Sequence, residues 1–123
     1  MKKTSYILII TSLMLSLQAQ AGRSEANKAV DQAKALIQSA IRSDARQLAA
    51  FELKSANDHL NTAEVKLTDK KWTSAEIAAK KAQRDAEVAS AKAQALKSEQ
   101  ALNDLKIVVQ SLKAELERTG EQQ

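Results

Sequence analysis

The sequence contains no cysteine and no proline, and its only glycines are Gly22 and Gly120. Without cysteine, the chain has neither disulfide bonds nor thiolate chemistry. Without a glycine-rich segment, it has no loop of the kind that cradles phosphate groups. A single histidine, His59, is too few for a zinc or copper site, and a lone histidine on a helix does not suggest a hydrolytic triad. We therefore predict that the protein is not an enzyme and holds no metal or other cofactor.

Aromatic residues are also scarce, with one tyrosine, one phenylalanine and one tryptophan. Such a chain has few rings on which nucleic-acid bases could stack. Its formal net charge of +4 includes Lys2 and Lys3, which lie in a segment that we expect to be removed. The charge that remains is nearly balanced, which gives little attraction for a polyanion. We predict no nucleic-acid partner.

The first residues have the three parts of a secretory signal peptide. Lys2 and Lys3 form a basic start, residues 6–17 are mostly apolar, and Ala19-Gln20-Ala21 has the small-x-small pattern of a cleavage site. The apolar run is shorter than the ~20 residues that a membrane-spanning helix needs. Because no cysteine follows the run, no lipid can be attached there. We predict cleavage of residues 1–21 and a periplasmic protein that is not a lipoprotein.

The rest of the chain has the composition and spacing of long helices. No glycine or proline occurs from residue 24 to 119, and alanine, leucine, lysine, glutamate and glutamine dominate. Apolar residues recur at alternating steps of three and four, which is typical of coiled-coil seams. We predict an all-α fold whose helices pair through an Ala-rich seam, formed by Ala49, Leu53, Ala56, Leu60, Ala63, Leu67, Ala75, Ala79, Ala82, Ala86, Ala89, Ala93 and Leu96.

A turn between helices is predicted at residues 69–72, where a polar run interrupts the seam. Thr73 and Glu76 have the spacing of a capping box, and Trp72 and Ile77 occupy the two positions of a hydrophobic staple. These features would begin a new helix after the turn.

A second, weaker break is predicted at residues 43–44, where Asp44 is suited to cap a helix. The helices of a single domain, 22–123, would then span about 25–42, 45–68 and 73–119. Folding at the 69–72 turn places Ser43 near Ser98, where the seam register also slips. We expect a long antiparallel helical hairpin with a break near residues 43–44; the alternative is a three-helix bundle in which residues 24–42 fold back.

Several residues outside the seam are candidates for contact with a partner. We predict a homo-oligomer, because Leu36, Ile77, Val88, Ile107 and Val108 lie off or beside the seam and could fill an interface. A partner surface is also predicted from a second, bulkier run and from the turn, comprising Leu102, Leu105, Val109, Leu112, Leu116, Lys70, Lys71 and Trp72.

A family resemblance rests on the middle of the chain. It is carried by Phe51-Glu52-Leu53, the aromatic Trp72 at the turn, Asp85-Ala86-Glu87 and the evenly spaced alanines of the seam. The pattern resembles the alanine-rich bacterial envelope domain of unknown function DUF4398, which is often found N-terminal to OmpA-like domains. The resemblance implies an exported envelope protein and brings no catalytic residues with it.

These observations together predict a non-enzymatic periplasmic protein that acts by self-association or by docking on an unidentified envelope protein. Two alternatives stay open. One is a chaperone-like module that binds unfolded clients on an apolar surface. The other is a peripheral protein that contacts the membrane surface through the basic turn and Trp72.

Overall fold

A computed structural model describes the backbone of residues 2–120 and the side chains of residues 21–120. The described residues form four helices, α1 (Lys2–Arg42), α2 (Ala45–Leu48), α3 (Ala50–Thr68) and α4 (Trp72–Gly120). The described part of the chain contains no strand, so the all-α prediction is confirmed. Except for Ala21, the predicted signal peptide lies outside the residues whose side chains are described, and its cleavage stays a prediction.

The turn between α3 and α4 is a helix C-terminal motif centred on Lys70. This residue has a left-handed backbone, with φ of 59°. The amide of Lys71 donates to the carbonyl of Lys66 at 2.9 Å, and the amide of Lys70 donates to the carbonyl of Leu67 at 3.0 Å. These two bonds satisfy carbonyls that would otherwise be unpaired at the end of α3, as in a Schellman motif. Because the motif is short, α4 starts directly at Trp72.

The break between α1 and α3 consists of two distorted positions on either side of α2. Asp44 has a left-handed backbone with φ of 65°, and Ala49 has φ of −142° and ψ of 44°. Aspartate tolerates the left-handed region better than most residues. The side chain of Asp44 makes no capping bond and pairs with Lys97 of α4 instead. The break is therefore where the sequence predicts it, and Asp44 is the N-cap residue of α2, but its side chain does not cap the helix. The predicted helix 45–68 is wrong in one respect, because Ala49 divides it into α2 and α3.

Helices α3 and α4 form an antiparallel hairpin. The ammonium group of Lys92 lies 2.6 Å from Glu52 near the start of α3, and the hydroxyl of Ser55, one turn later, donates to Asp85 at 2.7 Å. Moving forward along α3 therefore means moving backward along α4. The predicted turn at 69–72 is therefore confirmed, since it joins the two helices of this hairpin.

Residues 22–42 of α1 pack against both helices of this hairpin. Lys34 reaches Glu64 of α3 at 2.7 Å, and the side-chain amide of Gln83 on α4 donates to the carbonyl of Ala29 at 2.7 Å. The region therefore forms an up-down-up bundle of α1, α3 and α4, with α1 parallel to α4. Of the two predicted arrangements, the structure has the three-helix bundle.

The extended pairing expected for the long hairpin does not form. The Ser43 hydroxyl lies 3.2 Å from that of Ser90, whereas the long hairpin would place it near Ser98. The reason is the backbone at Asp44 and Ala49, which reverses the chain direction so that α1 and α3 lie side by side. Beyond residue 96, α4 therefore has neither helix beside it.

The bundle core is made mostly of alanine. The larger buried side chains are Val30, Ile37 and Leu53, and the described residues include no buried polar or charged side chain. An alanine methyl group buries little surface, but it lets helix backbones approach closely. The result is a thin bundle of three close helices.

Candidate interaction surface

The C-terminal half of α4 extends beyond the bundle as a single helix. We call residues 97–120 the projecting segment. Lys97 pairs with Asp44, which lies in the break where α1 has ended, and every side chain from Lys97 to Gly120 is exposed. Apart from this ion pair, the projecting segment makes no tertiary contact of the kind that stabilises most helices in proteins.

The projecting segment carries a continuous line of large apolar side chains. We call them the apolar stripe: Leu102, Leu105, Val109, Leu112 and Leu116, each between 58% and 73% exposed. Their steps of three, four, three and four residues place them on one face of the helix. A shallow groove on this face is lined by Leu102, Leu105 and Val109 together with the side chains of Lys106 and Gln110.

The stripe lies on the side of α4 that faces away from the bundle. The residues one and two heptads before Leu102 are Ala95 and Val88, and both are exposed. The buried face of α4, which includes Ala86 and Ala93, lies on the other side of the helix. A partner on the apolar stripe would therefore not collide with α1 or α3.

The residues of the predicted seam lie inside the bundle. All of them are buried except Leu60, Leu67 and Leu96, which are half-buried. Most of them belong to two clusters, one around Leu53, Ala56 and Ala89 and another around Ala63 and Ala79. The seam residues therefore hold the helices together and do not form an exposed surface.

The residues predicted beside the seam divide into two groups. Leu36 is half-buried and packs against the core. Ile77, Val88, Ile107 and Val108 are all more than half exposed. Val108 borders the apolar stripe, whereas Ile107 is on another face of the same helix.

The residues predicted at the turn lie at the opposite end of the bundle from the apolar stripe. Trp72 is half-buried, and the guanidinium of Arg23 lies 5.9 Å from its ring centroid, within the range of a cation–π contact. Lys70 and Lys71 are exposed, but Lys71 is 3.2 Å from Asp69. The structure therefore does not bring the turn residues and the stripe into one surface.

The capping box and staple predicted for the start of α4 are wrong. The helix starts at Trp72, so Thr73 lies within its first turn and is not the cap. The carboxylate of Glu76 binds Lys80 at 2.6 Å, and Ile77 is exposed instead of packing on Trp72. The Schellman motif at Lys70 defines the turn without them.

A polar cluster on α3 and α4 contains the only histidine of the chain. Oδ2 of Asp85 accepts from the hydroxyl of Ser55 at 2.7 Å and lies 2.8 Å from Nδ1 of His59. In a hydrolytic triad the histidine lies between the hydroxyl and the carboxylate and takes the hydroxyl proton. Here the carboxylate lies between the other two, so the histidine does not activate the serine. The arrangement is that of an interhelical contact.

Two ion pairs between helices change the pKa of one partner. The hydrogen bond to Glu64 raises the pKa of Lys34, since it stabilises the ammonium form. The hydrogen bond from Lys92, with one from the backbone amide of Glu52 itself, lowers the pKa of Glu52. These pairs join α1 to α3 and α3 to α4, so they support the bundle and not the projecting segment.

Phe51 is an exposed apolar residue that the spacing of the seam did not identify as surface. It is 79% exposed in the first turn of α3, at the end of the bundle from which the projecting segment emerges. The sequence could have predicted this exposure, because Phe51 lies two residues before the buried Leu53 and therefore on a different face of the helix.

The described residues bear on two other features, a metal site and a membrane-spanning helix. No group of three or more histidine and acidic side chains in residues 21–120 is arranged to hold a metal ion. No helix in the described part is both long and apolar enough to cross a membrane.

Comparisons with known proteins identify a family. Neither the curated proteins nor the solved structures include a significant match to this chain. A family model does match residues 28–105, which run from within α1 through the rest of the bundle to Leu105 of the apolar stripe. The chain therefore belongs to the family described as Domain of unknown function (DUF4398).

Proposed function

We propose that this protein is a non-enzymatic periplasmic envelope protein that acts by protein–protein contact through the apolar stripe. The contact would be either self-association or docking on another envelope protein. The observation that carries the proposal is the projecting segment, in which five large apolar side chains line one face of a helix that has no neighbour. Contiguous apolar surface of this kind is typical of interaction sites.

The physical argument concerns the stability of the segment. Most of the stability of helices in proteins comes from packing an apolar face against other elements, and the stripe packs against none in the described residues. Covering the stripe with another helix would remove large apolar side chains from water, and its heptad spacing is suited to such pairing. The bundle would serve as the rigid body that holds the segment.

Site-specific photo-cross-linking in living cells tests this proposal. A photoreactive amino acid replaces Val109 on the stripe, and a matched variant carries it at Ala114, which is exposed on another face of the same helix. We expect cross-linked species of one or a few defined masses at position 109 and not at 114. Equal yields at the two positions, or none at either, would contradict a contact through the stripe.

The groove beside Leu105 supports a second candidate, the chaperone-like module. In that case position 109 would give a broad range of adduct masses, because many clients would occupy the groove. The membrane-surface alternative rests on Trp72, which is half-buried and contacted by Arg23 in the bundle. It predicts a blue shift of Trp72 fluorescence when anionic vesicles are added.

A further inference from the structure

We infer that the partner of the apolar stripe is a second copy of this chain, bound antiparallel so that the two projecting segments overlap. The symmetry axis that relates the two copies lies at the level of Ile107. The inference rests on the proposed function, because it names the partner of the same surface. It is carried by the charges beside the stripe and by the direction in which the stripe faces.

The heptad positions of the projecting segment follow from the stripe. Leu102, Val109 and Leu116 occupy one core position, and Leu105 and Leu112 occupy the other. The positions that border a coiled-coil core hold charged residues that set partner and orientation. On one side of the core these are Glu99, Lys106 and Lys113; on the other side they are Ala101, Val108 and Glu115.

A parallel pair of segments gains nothing from these bordering residues. In a parallel coiled coil, each residue of one side faces the residue five positions later on the other side of the partner. Ala101 would face Lys106 of the second copy, and Val108 would face Lys113. No pair of opposite charges forms, and two lysines lie against apolar residues.

An antiparallel pair centred on Ile107 does gain from them. Glu99 of each copy faces Lys113 of the other, which gives two attractive pairs by symmetry. Val108 faces its own copy and extends the apolar contact. The one unfavourable meeting is Lys106 with its symmetry mate, whose long side chains can diverge into solvent.

The core layers in this register match large side chains with large ones. Leu102 meets Leu112 of the second copy, and Leu105 meets Val109, each twice by symmetry. Sliding one copy by a heptad toward the C-terminus places Lys106 against Lys113 twice, which is repulsive. Sliding it the other way pairs Glu99 with Lys106, but it places Val109 against Ser98 and Leu112 against Ala95, so these two side chains no longer meet large apolar ones. Charge therefore excludes one shift, and core packing excludes the other.

The position of the bundle permits this arrangement. The apolar stripe continues back along the outer side of α4 through the exposed Ser98, Ala95 and Ala91. Residue 116 of the second copy would lie level with Ser98. The last turn of α4 of the second copy therefore passes over small side chains. Helices α1 and α3 lie on the other side of α4 and do not obstruct it.

Sedimentation equilibrium tests whether the charged residues beside the stripe hold the two copies together. The protein is purified from cells in the form that they produce. We expect a dimer whose dissociation constant rises about tenfold in Glu99→Lys and in Lys113→Glu. The double variant should return close to the wild-type value, since it restores both attractive pairs. The control Asp104→Lys changes the net charge by the same amount as Glu99→Lys, on a face away from the stripe. It should have little effect on the dissociation constant.

The orientation is tested by a distance between spin labels. The sequence has no cysteine, so Thr119→Cys provides a single labelling site. In the antiparallel dimer residue 119 lies level with residue 95 of the other copy, which separates the labels by about 36 Å. A parallel dimer would bring them within about 20 Å, and that result would overturn the inference.

A protein that stays monomeric at all concentrations would also overturn it, as would a dimer in which the double charge variant shows no recovery. Neither result decides the proposed function. Defined cross-links from Val109 to a different envelope protein would then retain the stripe as a docking surface. Failure of the proposed function itself would instead appear as the loss of position-specific cross-links.

Discussion

Leu53 and Phe51 lie two residues apart on α3 and have opposite environments. Leu53 is 6% exposed and packs among the alanines of the core, whereas Phe51 is 79% exposed. In a core built mainly of alanine, a single leucine supplies a large share of the apolar surface buried at its level. The stability of the bundle therefore depends on a few large side chains set among many small ones.

We expect Leu53→Ala to lower the free energy of unfolding by about 2–3 kcal/mol, because it removes buried methyl groups and leaves a cavity. Phe51→Ala on the same helix should change it by less than about 0.5 kcal/mol, since the ring is exposed. Urea denaturation followed by circular dichroism measures both. Similar losses in the two variants would mean that the ring of Phe51 is covered in solution.

The ion pair between Glu52 and Lys92 predicts a pH dependence of stability. The pKa of Glu52 lies below its ordinary value of 4.5 in the folded protein, because Lys92 and the backbone amide bind the ionised form. A group with a lowered pKa stabilises the fold above its unfolded pKa and loses this contribution as pH falls through the folded pKa. Glu52→Gln should therefore reduce stability at pH 7 and weaken the loss of stability below pH 4.5.

The control for this prediction is Glu117→Gln, which removes an exposed carboxylate on the projecting segment. It should leave the pH profile of thermal unfolding nearly unchanged. If Glu52→Gln and wild type lose stability in parallel on acidification, the pair with Lys92 does not contribute in solution.

At the scale of the elements, the two breaks decide how the helices are arranged, and both depend on non-glycine residues with a left-handed backbone. Lys70 occupies the position after α3 at which glycine is usually found. A side chain with a Cβ is disfavoured in this conformation by about 1–2 kcal/mol. The chain keeps lysine there, although it is exposed and makes the turn less stable than glycine would.

We expect Lys70→Gly to raise the free energy of unfolding by up to about 1 kcal/mol, because glycine adopts the left-handed region without strain. Lys81→Gly, an exposed position inside α4, should instead lower it by up to about 1 kcal/mol. Thermal unfolding of the two variants gives the comparison. A loss of stability in Lys70→Gly would indicate that the left-handed turn is not the conformation in solution.

The heptad spacing was sufficient to predict the long helices, the 69–72 turn and which alanines of the seam face inward, but not the interruption at Ala49 within 45–68. It could not predict the direction of α1, because residues 24–42 present the same apolar face in a long hairpin and in a three-helix bundle. The difference lies in the backbone at Asp44 and Ala49, which apolar spacing does not encode. The outward position of the apolar stripe follows from that reversal, since α1 would otherwise have lain beside it.

At the scale of the whole molecule, the body and the projecting segment depend on different residues. Every buried side chain in the described part lies between Ala26 and Ala93. The exposed stripe begins after the bundle has ended. The described part of the chain is thus a small Ala-packed body joined through one continuous helix to an exposed apolar stripe, and the two should be separable by a single truncation.

We expect residues 22–96 to fold without the projecting segment and to unfold within about 4 °C of the chain 22–123 under conditions where both are monomeric, because the truncation removes no buried side chain. The truncated chain should also remain monomeric at concentrations where the longer chain associates, since it lacks the apolar stripe. Calorimetry and light scattering on the two chains measure these outcomes. Unfolding of the truncated chain would mean that contacts of the segment stabilise the body, whereas association without the segment would assign self-association to exposed residues of the bundle such as Ile77 and Val88.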